Sequence, residues 1–275
     1  GNLANIDKEL ADKLAAATDK GTEVNREELQ ANPGSEKPAE TEKPTETETP
    51  AAETDKTEET EKQEAIARDY YSRELENVNT VVEKNDVTTN AENNQRDDLT
   101  SDLEKLKKLQ DATVHMEFKP DASAPRFYNL FSVSSDTKEN EYFTMSVFDN
   151  TALIEGRDAN GAQFYDKYTD APLKVRPGQW NSVTFTVEKP TTEVPTGRVR
   201  LYVNGVLSRT SLKSGKFIKD MPDVNHVQIG ATKRGSKTVW GSNLQVRNLT
   251  VYDRALTQDE VRTRSQLFER GDLRQ

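Results

Sequence analysis

The sequence feature that most limits the fold is a series of short β-rich runs, separated by turn residues, between positions 113 and 252. β-Branched and aromatic residues suit the pleated, half-buried surface of a strand, and runs at this spacing are typical of an antiparallel sandwich. Asn204-Gly205 adds a strong hairpin signal, because a type I′ turn needs positive φ at both central positions. We therefore expect an all-β jelly roll. The clearest runs are residues 114–118, 127–133, 142–148, 152–157, 183–187 and 199–203.

Two further strands are predicted towards the carboxyl-terminal end. Residues 227–231 form one β-rich run. Residues 244–252 alternate apolar and polar positions, with one irregularity at Arg247-Asn248, as a half-buried strand with a bulge does. Together these runs predict the closing strands of the sandwich.

A packed helix is predicted after the last strand, over residues 257–270. Thr257 and Glu260 match a capping box, in which a hydroxyl and a carboxylate each bind a free backbone N–H. Gly271 supplies a stop. The residues at helical spacing between these signals are Val261, Arg264, Ser265 and Phe268.

Composition divides the chain near residue 70. No Phe, Tyr or Trp precedes Tyr70, although the chain contains 9 Phe, 8 Tyr and 2 Trp. Residues 31–62 consist largely of Glu, Thr, Pro, Lys and Ala, which offer too little apolar surface to offset chain entropy. Residues 1–78 contain 10 Lys or Arg against 21 Asp or Glu, so the net charge of −10 belongs to this segment. We expect a disordered acidic stalk over residues 1–78 and a near-neutral folded module over residues 79–275.

Two short helices are predicted to flank the sandwich on its amino-terminal side. Residues 61–83 match a helix. Residues 98–109 carry leucines at helical spacing, with Asp98 as the expected cap. An apolar stripe of this kind is more often core than a partner-binding face.

One hairpin gives the sharpest functional prediction. Asp149-Asn150 fits a two-residue turn, and the turn length fixes the register of the flanking strands. Pairing residue 148 with residue 151 makes one face of the hairpin apolar and leaves the other face polar. The polar face carries Tyr142 opposite Arg157 and Thr144 opposite Glu155.

These four groups suit an acidic sugar. A planar guanidinium holds a carboxylate by two charge-assisted hydrogen bonds, while a carboxylate accepts from hydroxyl and amide donors. Glu155 and Arg157 are the primary site residues. Taken alone, the two would be read as solvated strand charges, and the apolar opposite face argues against that interpretation.

The chain resembles carbohydrate-binding module family 40, the sialic-acid-binding lectin module that precedes the catalytic propeller in streptococcal surface sialidases. The resemblance covers about the last 195 residues. It implies a concanavalin-like or laminin-G-like sandwich that binds terminal N-acetylneuraminic acid on host glycans. It rests on residues 114–118, 127–133, 173–182, 198–206 and the segment from residue 227 to 261.

The resemblance also implies site residues. A Glu-x-Arg pair on a strand matches Glu155-Gly156-Arg157, and a second arginine near the carboxyl end matches Arg234. Trp240 follows six residues later and is expected either to stack on the sugar or to pack in the core. Weaker candidates, whose face the alternation leaves open or whose side chain is expected to be solvated, are Tyr128, Tyr165 and Lys233.

Sialidase chemistry requires an arginine triad, a tyrosine nucleophile and an aspartate acid on a propeller, and the chain contains no propeller-blade motif. A sandwich glycosidase would need closely spaced carboxylates on one strand, yet the same-face neighbours of Glu155 are Leu153 and Arg157. We therefore expect no catalysis by this chain and an exo-α-sialidase as its parent protein.

An adhesion module that binds protein or sulfated glycan is the alternative, with Arg198, Arg200, Lys213 and Lys216 as a scattered basic surface. The chain contains no cysteine and two histidines, which disfavours a structural zinc site, and no cofactor or metal is expected. No motif suggests nucleic acid, and no apolar run suggests membrane insertion. We expect a monomer outside the cell, secreted or attached to the cell wall.

Overall fold

The computed structural model describes residues 58–59, 61–62, 75, 77–92, 97–209 and 214–269, with the side chains of 97, 167 and 266–269 left aside. The strands in this part of the chain form two six-stranded antiparallel sheets and one two-stranded ribbon. The fourteen strands are β1 Thr80–Thr88, β2 Asp97–Asp98, β3 Ala112–Pro120, β4 Phe127–Ser134, β5 Tyr142–Phe148, β6 Thr151–Arg157, β7 Gln163–Tyr168, β8 Asn181–Glu188, β9 Arg198–Val203, β10 Val206–Leu207, β11 His226–Ile229, β12 Thr232–Arg234, β13 Lys237–Val239 and β14 Leu244–Tyr252. The predicted all-β sandwich is confirmed.

The two sheets pack face to face around one core. Sheet I has the order β1-β14-β3-β8-β9-β10, and sheet II has the order β2-β11-β4-β5-β6-β7. The inner faces contribute fully buried aromatic and aliphatic side chains, as the period-2 alternation predicts. The largest of these are Phe118, Phe131, Phe143, Phe185 and Met116.

The turn predictions are confirmed in detail. Asp149 and Asn150 have φ of 51° and 63°, and Asn204 and Gly205 have φ of 51° and 80°, so both hairpins have positive φ at both central positions. The register of β5 with β6 is the one that the two-residue turn fixes. The irregularity expected in β14 is a register shift between Val246 and Asn248.

The helix predicted over residues 98–109 packs through the leucines that its spacing indicates. The leucine stripe of residues 98–109 is buried, but the helix is shorter than predicted: a 3-10 turn over Thr100–Asp102 continues into α1, Leu103–Lys107. The Asp98 carboxylate accepts from the backbone N–H of Thr100 at 2.8 Å. A second 3-10 turn spans Ile218–Asp220.

The capping box at the start of α2, Gln258–Glu269, is also confirmed. The Glu260 carboxylate accepts from the Thr257 N–H at 2.8 Å, and the Thr257 hydroxyl accepts from the Glu260 N–H at 3.2 Å. Two charge-assisted bonds between Arg254 and Glu260, at 2.8 and 2.9 Å, hold the same carboxylate. The helix therefore begins one residue after its predicted cap.

The outward face of sheet I is polar, and α2 covers it. Arg264 on α2 donates from Nε to Glu117 Oε1 at 3.1 Å and also bonds the Tyr252 hydroxyl and the Asn248 amide oxygen. His115 contacts the same Glu117 oxygen through Nε2 at 3.0 Å. Burial and the nearby Arg264 cation together lower the pKa of His115 to about 4. A buried ionic network therefore holds α2 on the sheet.

The amino-terminal predictions are mostly outside the described residues. Residues 80–83, the end of the helix predicted over 61–83, lie instead in β1, where Val82 faces the core. Residues 58–59 and 61–62 are helical, while residues 1–57, including most of the predicted disordered stalk, are outside the described part of the chain. Asn79 anchors the entry to β1 through two hydrogen bonds to the Asp253 carboxylate, each 2.9 Å. No helix in the described part of the chain is long and apolar enough to cross a membrane.

Candidate ligand-binding site

The outward face of sheet II carries the hairpin residues that the sequence singles out. β5 and β6 pair Tyr142 with Arg157 and Thr144 with Glu155. Successive side chains of a strand point to opposite faces, so these four lie on the face away from the core. The intervening residues that pack in the core are Phe143, Met145 and Ile154.

Glu155, Tyr142 and Arg157 form one hydrogen-bonded cluster. The Tyr142 hydroxyl donates to Glu155 Oε2 at 2.9 Å. Arg157 Nε lies 3.2 Å from the Tyr142 hydroxyl oxygen and 3.2 Å from Glu155 Oε2. Arg157 Nη1 donates to the Gly161 carbonyl at 2.7 Å. Burial acts to lower the pKa of Arg157, but its interactions with Tyr142 and Glu155 outweigh burial and raise that pKa. The guanidinium is therefore fixed in orientation and remains charged.

Arg234 on β12 joins this cluster from a separate part of the chain. Its guanidinium carbon lies 5.0 Å from the centre of the Tyr142 ring and 5.0 Å from that of Trp240. Its Nε donates to the Glu139 carbonyl at 2.7 Å, and its Nη2 donates to the Asn140 amide oxygen. Burial lowers the pKa of Arg234 to about 9, because desolvation disfavours the charged form. Tyr142 is thus the common contact of both arginines.

Trp240 packs against two of the site residues, Tyr142 and Arg234. It is fully buried and has φ of 59° just after β13. Its ring packs edge-on against Phe127 and Tyr142, with ring centres 5.4 and 5.8 Å apart. Of the two roles that the sequence left open, the geometry favours packing over a platform that stacks on a sugar.

The cluster is more buried than strand charges usually are. Glu155 and Thr144 are inaccessible to solvent, and the most exposed site residue, Arg157, is only 8% exposed. The ribbon of β12 and β13 and the aromatic side chains around Trp240 close over this face. The Thr144 hydroxyl has no hydrogen-bond partner among the described residues. The interpretation of Glu155 and Arg157 as solvated charges is therefore wrong.

The weaker candidates are separated from the cluster. Tyr128 and Tyr165 belong to the core between the sheets, so their rings face away from the site. Lys233 is half-buried and pairs with Thr238 across the ribbon. Because Lys233 directly precedes Arg234 on the same strand, the two side chains point to opposite faces of the ribbon.

Several residues that the sequence did not indicate also contribute. Glu139, Asn140 and Gly161 hold the two guanidinium groups from loops, through a carbonyl, an amide oxygen and a carbonyl. Asp166 on β7 lies opposite Glu155, and Gln163 donates to its carboxylate at 3.2 Å. The sequence of β6 alone does not indicate Asp166, because it is the pairing of β6 with β7 that places Asp166 next to Glu155.

The cluster contains the guanidinium groups of Arg157 and Arg234. It also contains the Glu155 carboxylate, which the Tyr142 hydroxyl holds, and the buried hydroxyl of Thr144. Paired cations of this kind bind carboxylates or other oxyanions, and the carboxylate suits hydroxyl and amide donors. No group of three or more His, Asp or Glu side chains within the described residues forms a metal site.

Comparison with known proteins identifies the family of the module. A family model for the sialidase N-terminal domain matches residues 78–269. Anhydrosialidase from the leech Macrobdella decora is 28% identical over 160 residues, which are 57% of this chain and 21% of that protein. The chain therefore spans about a fifth of this curated relative.

The solved structures that share the fold include two sialidase structures. The CBM40 module of the Ruminococcus gnavus IT-sialidase, bound to α2,3-sialyllactose, has a TM-score of 0.56 and 21% identity over 68% of this chain and 100% of its own. The NanB sialidase from Streptococcus pneumoniae has a TM-score of 0.56 and 24% identity over 67% of this chain and 28% of its own. With the family model matched over most of its length, the chain belongs to the sialidase N-terminal domain family.

Proposed function

We propose that the module binds terminal sialic acid through the outward face of sheet II and performs no catalysis itself. Glu155, Arg157 and Arg234 are the primary ligand-binding residues. Tyr142 and Thr144 lie beside them, and Trp240 supports Arg234. The two guanidinium groups bind the sugar carboxylate, and the buried Glu155 carboxylate orients Tyr142 and Arg157 for this contact.

The observation that carries this proposal is the convergence of both arginines on Tyr142. Arg157 reaches its hydroxyl at 3.2 Å, and the Arg234 guanidinium lies 5.0 Å from its ring centre, although the two arginines come from different strands. Burial disfavours the charged form of Arg234, and a bound carboxylate would oppose that penalty. A carboxylated sugar therefore fits the site better than a neutral sugar does.

The biological setting follows from this activity. The parent protein is an exo-α-sialidase outside the cell, and the module, as a monomer, holds the catalytic domain near sialylated host glycans. A single site of this size binds weakly, with Kd in the ~10 μM to mM range, so local concentration at the surface provides most of the benefit.

Calorimetric titration of the chain with 3′-sialyllactose and with lactose tests the proposal. We expect saturable heat with the sialoside and none with lactose. Arg157→Lys keeps the charge and loses the planar fork, so its affinity should fall at least about tenfold, as expected for a lost charge-assisted bond. Tyr142→Phe, which removes one hydroxyl, should weaken binding less.

Arg198→Ala is the matched control, because Arg198 is a half-buried strand arginine on sheet I. Its affinity for the sialoside should equal that of the natural sequence. Absence of heat at millimolar sialoside would overturn the proposal. Salt-sensitive binding of a sulfated glycan that Arg198→Ala weakens would favour the adhesion alternative instead.

A further inference from the structure

The chain contains two Asn-Gly dipeptides, Asn160-Gly161 in the β6–β7 turn and Asn204-Gly205 in the β9–β10 hairpin. An asparagine before glycine can lose its side-chain amide without an enzyme, because glycine has no Cβ to hinder attack by its backbone nitrogen. Both dipeptides would react in a flexible peptide, so the fold decides which of the two reacts in the folded module.

The reaction at Asn160 needs no reagent other than water. The backbone nitrogen of Gly161 attacks the Asn160 side-chain carbonyl carbon and forms a C–N bond, and the side-chain NH2 leaves as ammonia with the proton of that nitrogen. Water then opens the succinimide at either carbonyl, which yields aspartate or isoaspartate. In isoaspartate the main chain runs through the side-chain carbon, so the backbone gains one methylene group.

Asn204 is held away from this reaction. Its backbone N–H donates to the Ser182 carbonyl at 2.8 Å, its Oδ1 accepts from the Ser182 N–H at 2.8 Å, and its Nδ2 donates to Asn181 Oδ1 at 3.3 Å. The neighbouring Gly205 is buried, and a Cβ built on it would lie 2.9 Å from Ser265 Cβ on α2. The side-chain amide is therefore fixed, and the backbone that would attack it packs against a helix.

The Asn160 side chain is less restrained. It is exposed, and its amide makes no hydrogen bond to any described residue, whereas its backbone N–H donates to Asp158 Oδ1 at 2.9 Å. The attacking nitrogen of Gly161 donates to the Asp158 carbonyl at 2.9 Å. Opening of this bond in an exposed turn costs less free energy than opening of the packed hairpin at Asn204.

The β6–β7 turn also supports the ligand site. The Gly161 carbonyl accepts from Arg157 Nη1 at 2.7 Å, so the backbone directly after Asn160 orients this guanidinium. Gly161 has φ of 77°, which belongs to a tight turn of fixed length. An extra methylene group before Gly161 would displace its carbonyl and loosen the Arg157 side chain.

We propose that Asn160 is a deamidation site and that isoaspartate formed there weakens the ligand site through the Gly161 carbonyl. The chemical part of this inference depends on the fold alone. The effect on affinity rests on the proposed function. Affinity for the sialoside should then decline as the protein ages.

Peptide mapping of the full chain tests the chemical part. The tryptic peptide of residues 158–167 contains Asn160, and that of residues 201–209 contains Asn204. The protein is incubated at mildly alkaline pH, both folded and in urea, and mass spectrometry follows the replacement of NH2 by OH in each peptide. In the folded protein Asn160 should react at least about tenfold faster than Asn204, because it needs less local opening. In urea the two rates should be similar.

Asn160→Asp is the matched variant for the effect on binding, because it adds the same charge without the extra methylene group. The deamidated natural sequence, separated by anion exchange, should bind 3′-sialyllactose at least about threefold more weakly than fresh Asn160→Asp, as expected for a weakened charge-assisted bond. Asn160→Gln should keep its affinity through the same incubation, since glutamine cyclises far more slowly.

The outcomes separate the two parts of the inference. Equal rates for the two folded peptides, or no reaction at Asn160, would overturn the assignment of the deamidation site. Full affinity of the isoaspartate form would overturn the link to Arg157 while leaving the proposed function intact. If the fresh natural sequence does not bind sialyllactose, the proposed function itself fails, and peptide mapping still decides the chemical part.

Discussion

Removal of Arg264 should strongly destabilise the module. Arg264 is 11% exposed at its side chain and bonds the Glu117 carboxylate at 3.1 Å, while the Glu117 side chain is 8% exposed. Substitution by methionine preserves much of the apolar stem but leaves a buried carboxylate without its principal cation. Loss of one partner of a buried ion pair costs about 3–5 kcal/mol. We expect the free energy of unfolding of Arg264→Met to fall by about 3 kcal/mol or more at pH 8.

Arg262 on the same helix provides the matched control. Its ion pair with Asp259 is exposed, with side-chain exposures of 54% and 82%, and exposed pairs of this kind contribute about 0–1 kcal/mol. Arg262→Met should therefore change stability by less than about 1 kcal/mol. Both variants are measured by urea denaturation followed by far-UV circular dichroism, with equal m-values as the check on two-state unfolding.

The pH dependence of this loss provides an internal check. The Arg264 cation helps to lower the pKa of His115, so its removal allows His115 to protonate and to pair with Glu117. The cost of Arg264→Met should thus be smaller at pH 5.5 than at pH 8. Addition of Glu117→Gln should recover part of the loss, because no buried charge then remains unmatched. Equal, small losses for Arg264→Met and Arg262→Met would refute the assignment of a buried network.

Three further predictions follow from single positions. His115 is protonated near pH 6.5 in the unfolded chain and near pH 4 in the folded chain, so the free energy of unfolding should fall by about 2 kcal/mol from pH 7.5 to pH 5. Urea denaturation at both pH values should show that His115→Gln removes this part of the pH dependence. Gly156→Ala should cost about 1–3 kcal/mol in the same assay, because its Cβ would lie 2.4 Å from a Phe164 ring carbon, and an unchanged unfolding midpoint would contradict that contact. Asn150→Val should cost about 1–2 kcal/mol at φ of 63°, whereas Asn150→Gly should be neutral or stabilising.

Local rules predict the sandwich well because its determinants are local. The two-residue turn at Asp149-Asn150 fixes the register of β5 with β6, and that register alone places Glu155 and Arg157 on the outward face. The capping box at Thr257 likewise needs only residues within one turn of helix. Such features are visible in the sequence because the interacting groups are close along the chain.

The features that the sequence did not reveal depend on contacts between distant segments. Burial of the hairpin's polar face results from the ribbon of β12 and β13, more than 70 residues away along the chain. Asn140 bonds Arg234 across 94 residues, and a loop asparagine carries no sequence pattern that indicates such a contact. The helix predicted at residues 61–83 fails at its end because pairing with β14 overrides the local propensity of residues 80–83.

The two outward faces of the sandwich show how one chain uses buried arginine in two ways. On sheet I, Arg264 meets the Glu117 carboxylate inside the protein, and the pair holds α2 in place. On sheet II, the hydrogen bonds described for Arg234 go to a carbonyl and an amide oxygen, both neutral.

Desolvation lowers the pKa of Arg234 to about 9, and a ligand carboxylate at this guanidinium would oppose that shift. The first arrangement uses its charge for stability, since the ion pair is complete before any ligand arrives. The second can gain stability when an anion binds, because a nearby anion favours the charged form of Arg234. The module should therefore gain melting temperature on binding a carboxylated sugar, and an unchanged melting temperature at saturating 3′-sialyllactose would contradict this expectation.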